Sequence, residues 1–146
     1  IMDTFETATT WDKFEAFYKG VRKDVAQAVQ QATGHPAFVS CRFTHIYPDG
    51  PAPYFTIAAL GSARGDVASA LSAWREIKQA ANEAVIKHGG TITHHHAVGR
   101  DHRPGYEQET PALYRQMLQA AKAKAMLRVK LTGIKICLNF IGLRLM

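Results

Sequence analysis

The stretch that decides the fold covers residues 37–60 and reads AFVSCRFTHIYPDGPAPYFTIAAL. Residues 37–47 alternate between apolar and polar side chains, which is typical of a strand with one buried face. On that strand one face would carry Cys41, Phe43, His45 and Tyr47. A Pro-Asp-Gly-Pro turn follows at 48–51, and residues 53–60 form a second predicted strand. The short connection predicts that the two strands pair antiparallel.

A long helix is predicted before this strand pair. It begins near Trp11, with Thr9 or Thr10 as its cap, and ends at Gly34. Large apolar side chains recur at helical spacing along it, which indicates a face turned toward a core. These residues are Phe14, Phe17, Tyr18, Val21, Val25 and Val29.

More elements follow the strand pair. Asp66 is placed to cap a second helix, which ends at Gly89-Gly90 and leads into a short strand at 91–93. Residues 97–109 are predicted as a loop, and Thr110-Pro111 begins a last helix. The second helix carries an apolar face of Val67, Leu71, Trp74, Ile77, Ala81 and Val85. This order of elements predicts an α+β domain, an antiparallel sheet flanked by helices.

The composition is that of a folded protein, with 47% hydrophobic and 21% charged residues. The net charge of +6 is unevenly distributed. Residues 1–125 hold 14 basic and 12 acidic side chains, whereas residues 126–146 hold four basic ones and no acidic one. Because the excess lies in the tail and no basic helix stands out elsewhere, we expect no nucleic-acid partner.

The location of the protein is predicted from what its sequence lacks. Two cysteines, Cys41 and Cys137, do not make a disulfide framework, which favours a reducing compartment. We recognise no signal peptide, and no apolar run reaches the roughly 18 residues that a membrane helix needs. We therefore expect a cytoplasmic protein. Association with a membrane surface and formation of a homodimer stay open.

The chemistry is concentrated in three consecutive histidines, His94, His95 and His96. Imidazole changes its charge near neutral pH, so such a cluster can move protons. The alternatives are a packed turn and a metal site. In an extended chain neighbouring side chains point to opposite faces, so three consecutive histidines make a poor ligand set. We favour a proton-handling active site and predict no metal. The flanking glycines predict a sharp turn or a close approach of the backbone.

Other candidate residues are a tyrosine and three arginines. Tyr54 is either an ordinary strand residue or a phenol that takes part in proton transfer. Arg42, Arg100 and Arg103 are candidates for binding a phosphate or carboxylate of the substrate. No glycine-rich dinucleotide or phosphate-binding motif is recognisable in the sequence.

Three separate segments resemble one enzyme family. GGTITHHHAVGR at 89–100 is similar to the Gly-Gly-x-x-x-His-His-His-Gly-[Val/Ile]-Gly-Lys segment of alkyldihydroxyacetonephosphate synthases. DTFETATTWD at 3–12 resembles that family's D-[ST]-F-E-T-x-x-x-W-D segment. The stretch from Cys41-Arg42 to Tyr54-Phe55 resembles its C-R-x-[ST]-x-x-Y…Y-F segment. The resemblance covers residues 1–125.

This resemblance implies the C-terminal cap part of an FAD-linked oxidase family protein, a flavoprotein of the vanillyl-alcohol-oxidase type. Residues 1–125 would form the cap or substrate domain, as an incomplete ferredoxin-like fold. FAD would be bound mainly by an N-terminal domain that is absent from this chain and acts as its partner. The isolated chain would be inactive.

The implied reaction exchanges the acyl chain of acyl-dihydroxyacetone phosphate for a fatty alcohol in ether lipid synthesis. The alternative is an FAD-linked oxidase or dehydrogenase of a hydroxy acid or alcohol. By position, Tyr54 matches the active-site tyrosine and residues 94–96 match the histidine triplet, with His94 and His96 next to the cofactor. The substrate would be a small molecule or a lipid phosphate.

The sequence departs from the family pattern at three places. Ala97 replaces a glycine, and Arg100 replaces a lysine, which keeps the charge but changes its geometry. The family's closing D-P-x-x-I-x-N-P-G segment is not found after Lys124. We therefore treat residues 126–146 as an atypical tail, either frameshifted or vector-derived, with a terminal strand pair as the alternative.

Overall fold

A computed structural model describes residues 1–61 and 65–132, with side chains described up to residue 125. The described residues contain seven elements: β1 (Met2–Glu6), α1 (Trp11–Thr33), β2 (Phe38–Ile46), β3 (Pro51–Ala58), α2 (Val67–Lys87), α3 (Arg103–Glu109) and α4 (Ala112–Thr132). They belong to two compact units, residues 1–96 and 97–146. The predicted α+β class is confirmed.

The sheet of the first unit has three strands in the order β1-β3-β2, and β3 pairs antiparallel with both neighbours. Within the described residues, the order of strands and helices and of the strands in the sheet matches the first three strands of the ferredoxin-like pattern. The sequence predicted β2 and β3 and their antiparallel pairing, but not β1. Its five residues are too few, and too rich in polar side chains, to show a period of two.

A bulge in β2 corrects the predicted face of His45. Phe43 is opposite Pro53, but His45 is opposite Ala52, so one extra residue stands between the two pairs. An extra residue moves everything after it to the other face of the sheet. His45 therefore lies on the face of Arg42 and not with Cys41 and Phe43, as the simple alternation predicted.

The helices α1 and α2 cover one face of the sheet and enclose the core. Of the predicted face of α1, Phe17, Val21, Val25 and Val29 are buried. Of the predicted face of α2, only Ile77, Ala81 and Val85 are buried. Val67 and Leu71, in the first two turns of α2, are 74% and 42% exposed. The core consists of Phe5, Phe17, Val21, Val25, Val29, Val39, Phe55, Ile57, Ile77, Ala81, Ala84 and Val85.

The ends of the helices follow the predicted signals in part. Gly34 ends α1 with a φ of +74°, and the Asp66 carboxylate accepts a hydrogen bond from the Ser69 N–H at the start of α2. Thr10 occupies the N-cap position of α1, but its side chain makes no capping hydrogen bond. The Trp11 N–H instead donates to the Asp49 carbonyl at 3.1 Å.

The second unit contains α3 and α4. The prediction of a loop over 97–109 is wrong for Arg103–Glu109, because Pro104 lies in the first turn of a helix, where its fixed φ is favourable. The start of α4 after Thr110-Pro111 is confirmed. This helix crosses the predicted boundary at residue 125, and residues 133–146 lie outside the described residues. The nature of the tail therefore stays a prediction.

Among the helices of the described part, none combines the length and the apolar character needed to cross a bilayer.

Candidate active site

The histidine triplet lies in an irregular segment of the first unit, directly after α2. Gly89 turns the chain with a φ of +79°, and Gly90 brings it against the core, where a Cβ would lie 2.5 Å from Phe17 Cε2 and 2.7 Å from Thr7 Oγ1. The predicted turn and close approach at the glycines are thus confirmed. The strand predicted at 91–93 is wrong, because this segment forms no ladder with the sheet.

The backbone N–H groups of the triplet hydrogen-bond to a buried carboxylate and not to a neighbouring strand. Glu6, the last residue of β1, is fully buried. Its Oε1 accepts a hydrogen bond from the Thr93 hydroxyl at 2.6 Å. The same oxygen accepts from three consecutive backbone N–H groups, those of His94 at 2.6 Å, His95 at 2.8 Å and His96 at 2.8 Å. Glu6 therefore fixes the backbone of the whole triplet.

These hydrogen bonds also decide the charge of Glu6. Burial alone would raise the pKa of this carboxyl, because a low-dielectric surrounding disfavours the charged form. The hydrogen bonds from Thr93 and from the N–H groups of residues 94–96 act in the opposite direction and together lower its pKa below the usual range. Glu6 is therefore an anion at neutral pH, and it lies beneath the imidazoles.

The second oxygen of Glu6 faces two of the rings. Oε2 lies 3.1 Å from His95 Nδ1 and 3.8 Å from His94 Nδ1, and it receives no well-aligned hydrogen bond from any described residue. An anion beside Nδ1 favours the tautomer with the proton on that nitrogen. His95 then presents the lone pair of its Nε2.

Aromatic side chains from the sheet surround the triplet. The Tyr47 hydroxyl is 3.0 Å from His94 Nε2. The Tyr54 ring lies 6.3 Å from the His95 ring and 5.6 Å from the His96 ring, measured between centroids. The structure therefore brings the predicted tyrosine and all three predicted histidines into one cluster.

Tyr54 is held in place from two sides. Its hydroxyl donates to Thr4 Oγ1 at 3.1 Å, and the Arg42 guanidinium carbon lies 4.7 Å from the centroid of its ring. The stacking of Arg42 is explained by the register, since Arg42 and Tyr54 are direct partners across β2 and β3. The arginine thereby adds a positive charge beside the phenol.

The two other predicted arginines lie in the second unit. Arg103 Nε pairs with Glu107 Oε1 at 2.7 Å, one turn along α3, and Arg100 is exposed in the preceding turn. Their predicted contact with substrate stays a prediction.

Three residues of this cluster, Glu6, His45 and Tyr47, were not predicted as site residues from the sequence. Glu6 looked like an ordinary acid in a short polar stretch, and only its match to the Phe-Glu-Thr part of the family segment could have singled it out. His45 was assigned to the wrong face because the bulge is invisible in the alternation. His45 lies 5.3 Å from the His94 ring and 5.0 Å from the His95 ring, between centroids.

The chain belongs to the family described as FAD linked oxidases, C-terminal domain, whose family model matches residues 1–131. Members of this family are FAD-linked enzymes, and the resemblance seen in the sequence is thereby confirmed.

The chain is similar to curated proteins of one name. It is 31% identical over 123 residues to the alkyldihydroxyacetonephosphate synthase of Caenorhabditis elegans, which covers 84% of this chain and 20% of that protein. It is 29% identical over 102 residues to the synthase of Trypanosoma brucei brucei, covering 70% and 16%. The chain thus spans about a fifth of the length of these relatives. A solved alkyldihydroxyacetonephosphate synthase matches with a TM-score of 0.48 and 20% identity, over 61% of this chain and 14% of that one.

The cluster fits one part of an FAD molecule. Imidazole and phenol groups are of the kind that hydrogen-bond the polar edge of a flavin ring, although in this structure His94 Nε2 contacts the Tyr47 hydroxyl and the Tyr54 hydroxyl donates to Thr4. The uncompensated Oε2 of Glu6 would balance a positive charge on an imidazole placed there. The sequence offers no recognisable loop for the pyrophosphate of FAD. These residues are therefore suited to contact the ring and not to hold the dinucleotide.

Proposed function

We propose that this chain is the cap part of an FAD-dependent enzyme that, like alkyldihydroxyacetonephosphate synthases, exchanges an acyl chain for a fatty alcohol. It would supply active-site Tyr54 and His94, His95 and His96 over a flavin that a separate N-terminal domain holds. The domain would comprise residues 1–125. The proposal rests on one observation. The buried Glu6 carboxylate accepts hydrogen bonds from the backbone N–H groups of residues 94–96 and thereby fixes the segment that holds the three imidazoles beside Tyr54.

The proposed exchange needs a proton acceptor and a site for a leaving anion. The fatty alcohol loses its hydroxyl proton and forms the new ether bond to dihydroxyacetone phosphate, and the acyl chain leaves as a fatty carboxylate. Bound FAD would make the carbon that is substituted reactive without net oxidation. His95 is the proposed base, because Glu6 Oε2 lies beside its Nδ1 and leaves Nε2 to accept the proton.

Tyr54 is proposed to receive the departing carboxylate. Its hydroxyl now donates to Thr4, and a small rotation would direct the same proton to a carboxylate oxygen. Arg42, stacked on the ring, adds a positive charge that favours an anion there. Arg100 and Arg103 are the proposed contacts for the phosphate of the substrate.

A second candidate is oxidation of a hydroxy acid or an alcohol. It is favoured by the description of the family, which is that of FAD linked oxidases. Oxidation would also use an imidazole base, but it would reduce the flavin and need an electron acceptor. The two candidates therefore differ in a directly visible property of the cofactor.

The test uses the intact protein, in which this chain is joined to its FAD-binding domain. With acyl-dihydroxyacetone phosphate and a labelled fatty alcohol, we expect the label to enter an ether lipid precursor without loss of flavin absorbance. His95→Ala and Tyr54→Phe should each lower turnover by about 10²-fold or more while FAD stays bound.

The matched control is His35→Ala, which removes an exposed imidazole far from the triplet in the sequence and should leave turnover unchanged. Bleaching of the flavin by a 2-hydroxy acid, with no transfer of the label, would favour the oxidase. Wild-type turnover in both His95→Ala and Tyr54→Phe would exclude the catalytic roles altogether.

A further inference from the structure

We propose that His45, His94 and His95 form a binding site for a divalent transition metal ion of the zinc type. Each of these residues offers one ring nitrogen, and the three nitrogens lie within 4.8 Å of one another. His45 comes from β2 and the other two from the segment after α2, so the set is created by the fold. It avoids the difficulty that three consecutive histidines point in alternate directions.

The distances suit a tetrahedral ion. With zinc–nitrogen bonds of about 2.0–2.1 Å, two ligand nitrogens are separated by roughly 3.4 Å. The Nδ1 atoms of His94 and His95 are already 3.4 Å apart. To ligate the ion, these nitrogens must be unprotonated, so metal binding would replace the Nδ1-protonated form of His95 and exclude its role as a base. Bringing the third nitrogen into range requires a shift of about 1.4 Å at most, which rotation of the exposed His45 ring can supply.

The charge of the surroundings favours a cation. Glu6 Oε2 is buried, lacks a well-aligned hydrogen-bond donor among the described residues and lies 3.1 Å and 3.8 Å from the two Nδ1 atoms. Because Oε2 lies beside the same Nδ1 atoms that would ligate the ion, the carboxylate would be close to the ion and would compensate part of its positive charge.

The ligand type indicates the class of metal. Three neutral imidazoles select zinc, cobalt, nickel or copper over magnesium and calcium, which prefer oxygen ligands. Three protein ligands leave a fourth position for water or another small ligand. Because protons compete with the metal for imidazole nitrogens, binding should be weaker in acid than at pH 7.5.

The test is a titration of the 146-residue chain with Zn²⁺ by calorimetry and with Co²⁺ by visible absorption, at pH 7.5 and in the absence of chelators. We expect one saturable ion per chain and the visible bands of four-coordinate Co²⁺. His45→Ala and His95→Ala should each weaken binding by at least about tenfold. Circular dichroism melts of every variant verify that the fold is kept.

Two variants act as matched controls, because each removes one imidazole outside the proposed set. His35→Ala and His96→Ala should keep the affinity within about twofold. If the wild-type chain shows no saturable binding, or if His45→Ala binds as tightly as the wild type, the proposal is wrong. Equal weakening in His35→Ala and His45→Ala would also overturn it, since that result indicates scattered surface binding.

Discussion

At the scale of the residue, the arrangement depends on Glu6. One carboxylate oxygen accepts four hydrogen bonds from the segment that carries the histidines, and the other faces two of their rings. The sequence predicted the histidines and Tyr54 because unusual residue types and a familiar segment reveal them. It could not predict Glu6, whose role is created by contacts across 87 to 90 positions of the chain.

Replacement of Glu6 by glutamine tests this role. Glu6→Gln keeps one acceptor oxygen but removes the charge, so we expect the free energy of unfolding at pH 7 to fall by about 2 kcal/mol. The folded-state pKa of Glu6 is lowered, so its stabilisation is fully present above the unfolded pKa of about 4.3 and is lost as pH falls through the folded value. The difference between wild type and variant should therefore shrink in acid.

Urea unfolding at pH 7 and at lower pH values measures both effects. Glu15→Gln is the control, because Glu15 is an exposed acid on α1 that pairs with the exposed Lys19, one turn further along the same helix. Its unfolding free energy should stay close to that of the wild type. Equal stability of Glu6→Gln and wild type at pH 7, or a difference independent of pH, would contradict the role of Glu6.

A second residue-scale prediction concerns Cys41. Burial raises the pKa of its thiol to about 11, and only the thiolate is a nucleophile. At pH 8 we expect alkylation by iodoacetamide to be about 10²-fold slower in the native protein than in urea. The measurement uses a Cys137→Ser background so that one thiol reacts. Equal rates in the two states would show that Cys41 is accessible and ordinary.

At the scale of the element, local signals predicted helices better than the details of strands. Gly34, Asp66 and the Gly89-Gly90 pair ended or began helices as expected, since each acts through its own backbone or side chain. The bulge between Phe43 and His45 escaped prediction, because it depends on the pairing of β2 with β3 and leaves no mark in the alternation.

The element-scale prediction concerns Gly90, which brings the histidine segment against α1. A methyl group at this position would collide with Phe17 and Thr7. We expect Gly90→Ala to lower the free energy of unfolding by about 1–3 kcal/mol, measured by urea denaturation. Gly61→Ala is the control, because its Cβ would come no closer than 3.5 Å to Ile1 and should be tolerated. Equal stability of both variants would show that the close approach does not constrain the segment.

At the scale of the whole molecule, the chain spans between 16% and 20% of the length of the two curated relatives. The helices α1 and α2 pack on one face of the sheet and enclose the core with it. The opposite face of the sheet carries Tyr54, Arg42 and His45. A cofactor could be predicted only through the family resemblance, because no local pattern in the sequence indicates one.

The prediction at this scale is that the isolated chain binds FAD weakly and does not turn over substrate. It offers contacts for the flavin ring but no recognisable loop for the pyrophosphate. Dialysis against FAD followed by the absorbance ratio of flavin to protein measures the bound fraction, which we expect to be well below one per chain. A yellow protein with one FAD per chain would contradict this account.

The most direct test of the central claim is a structure of the intact protein with FAD bound. We expect at least one imidazole nitrogen of His94, His95 or His96 to lie within about 4 Å of the flavin ring, on the sheet face that carries Tyr54. A flavin ring on the α1 and α2 side of the sheet, remote from all three imidazoles, would contradict it.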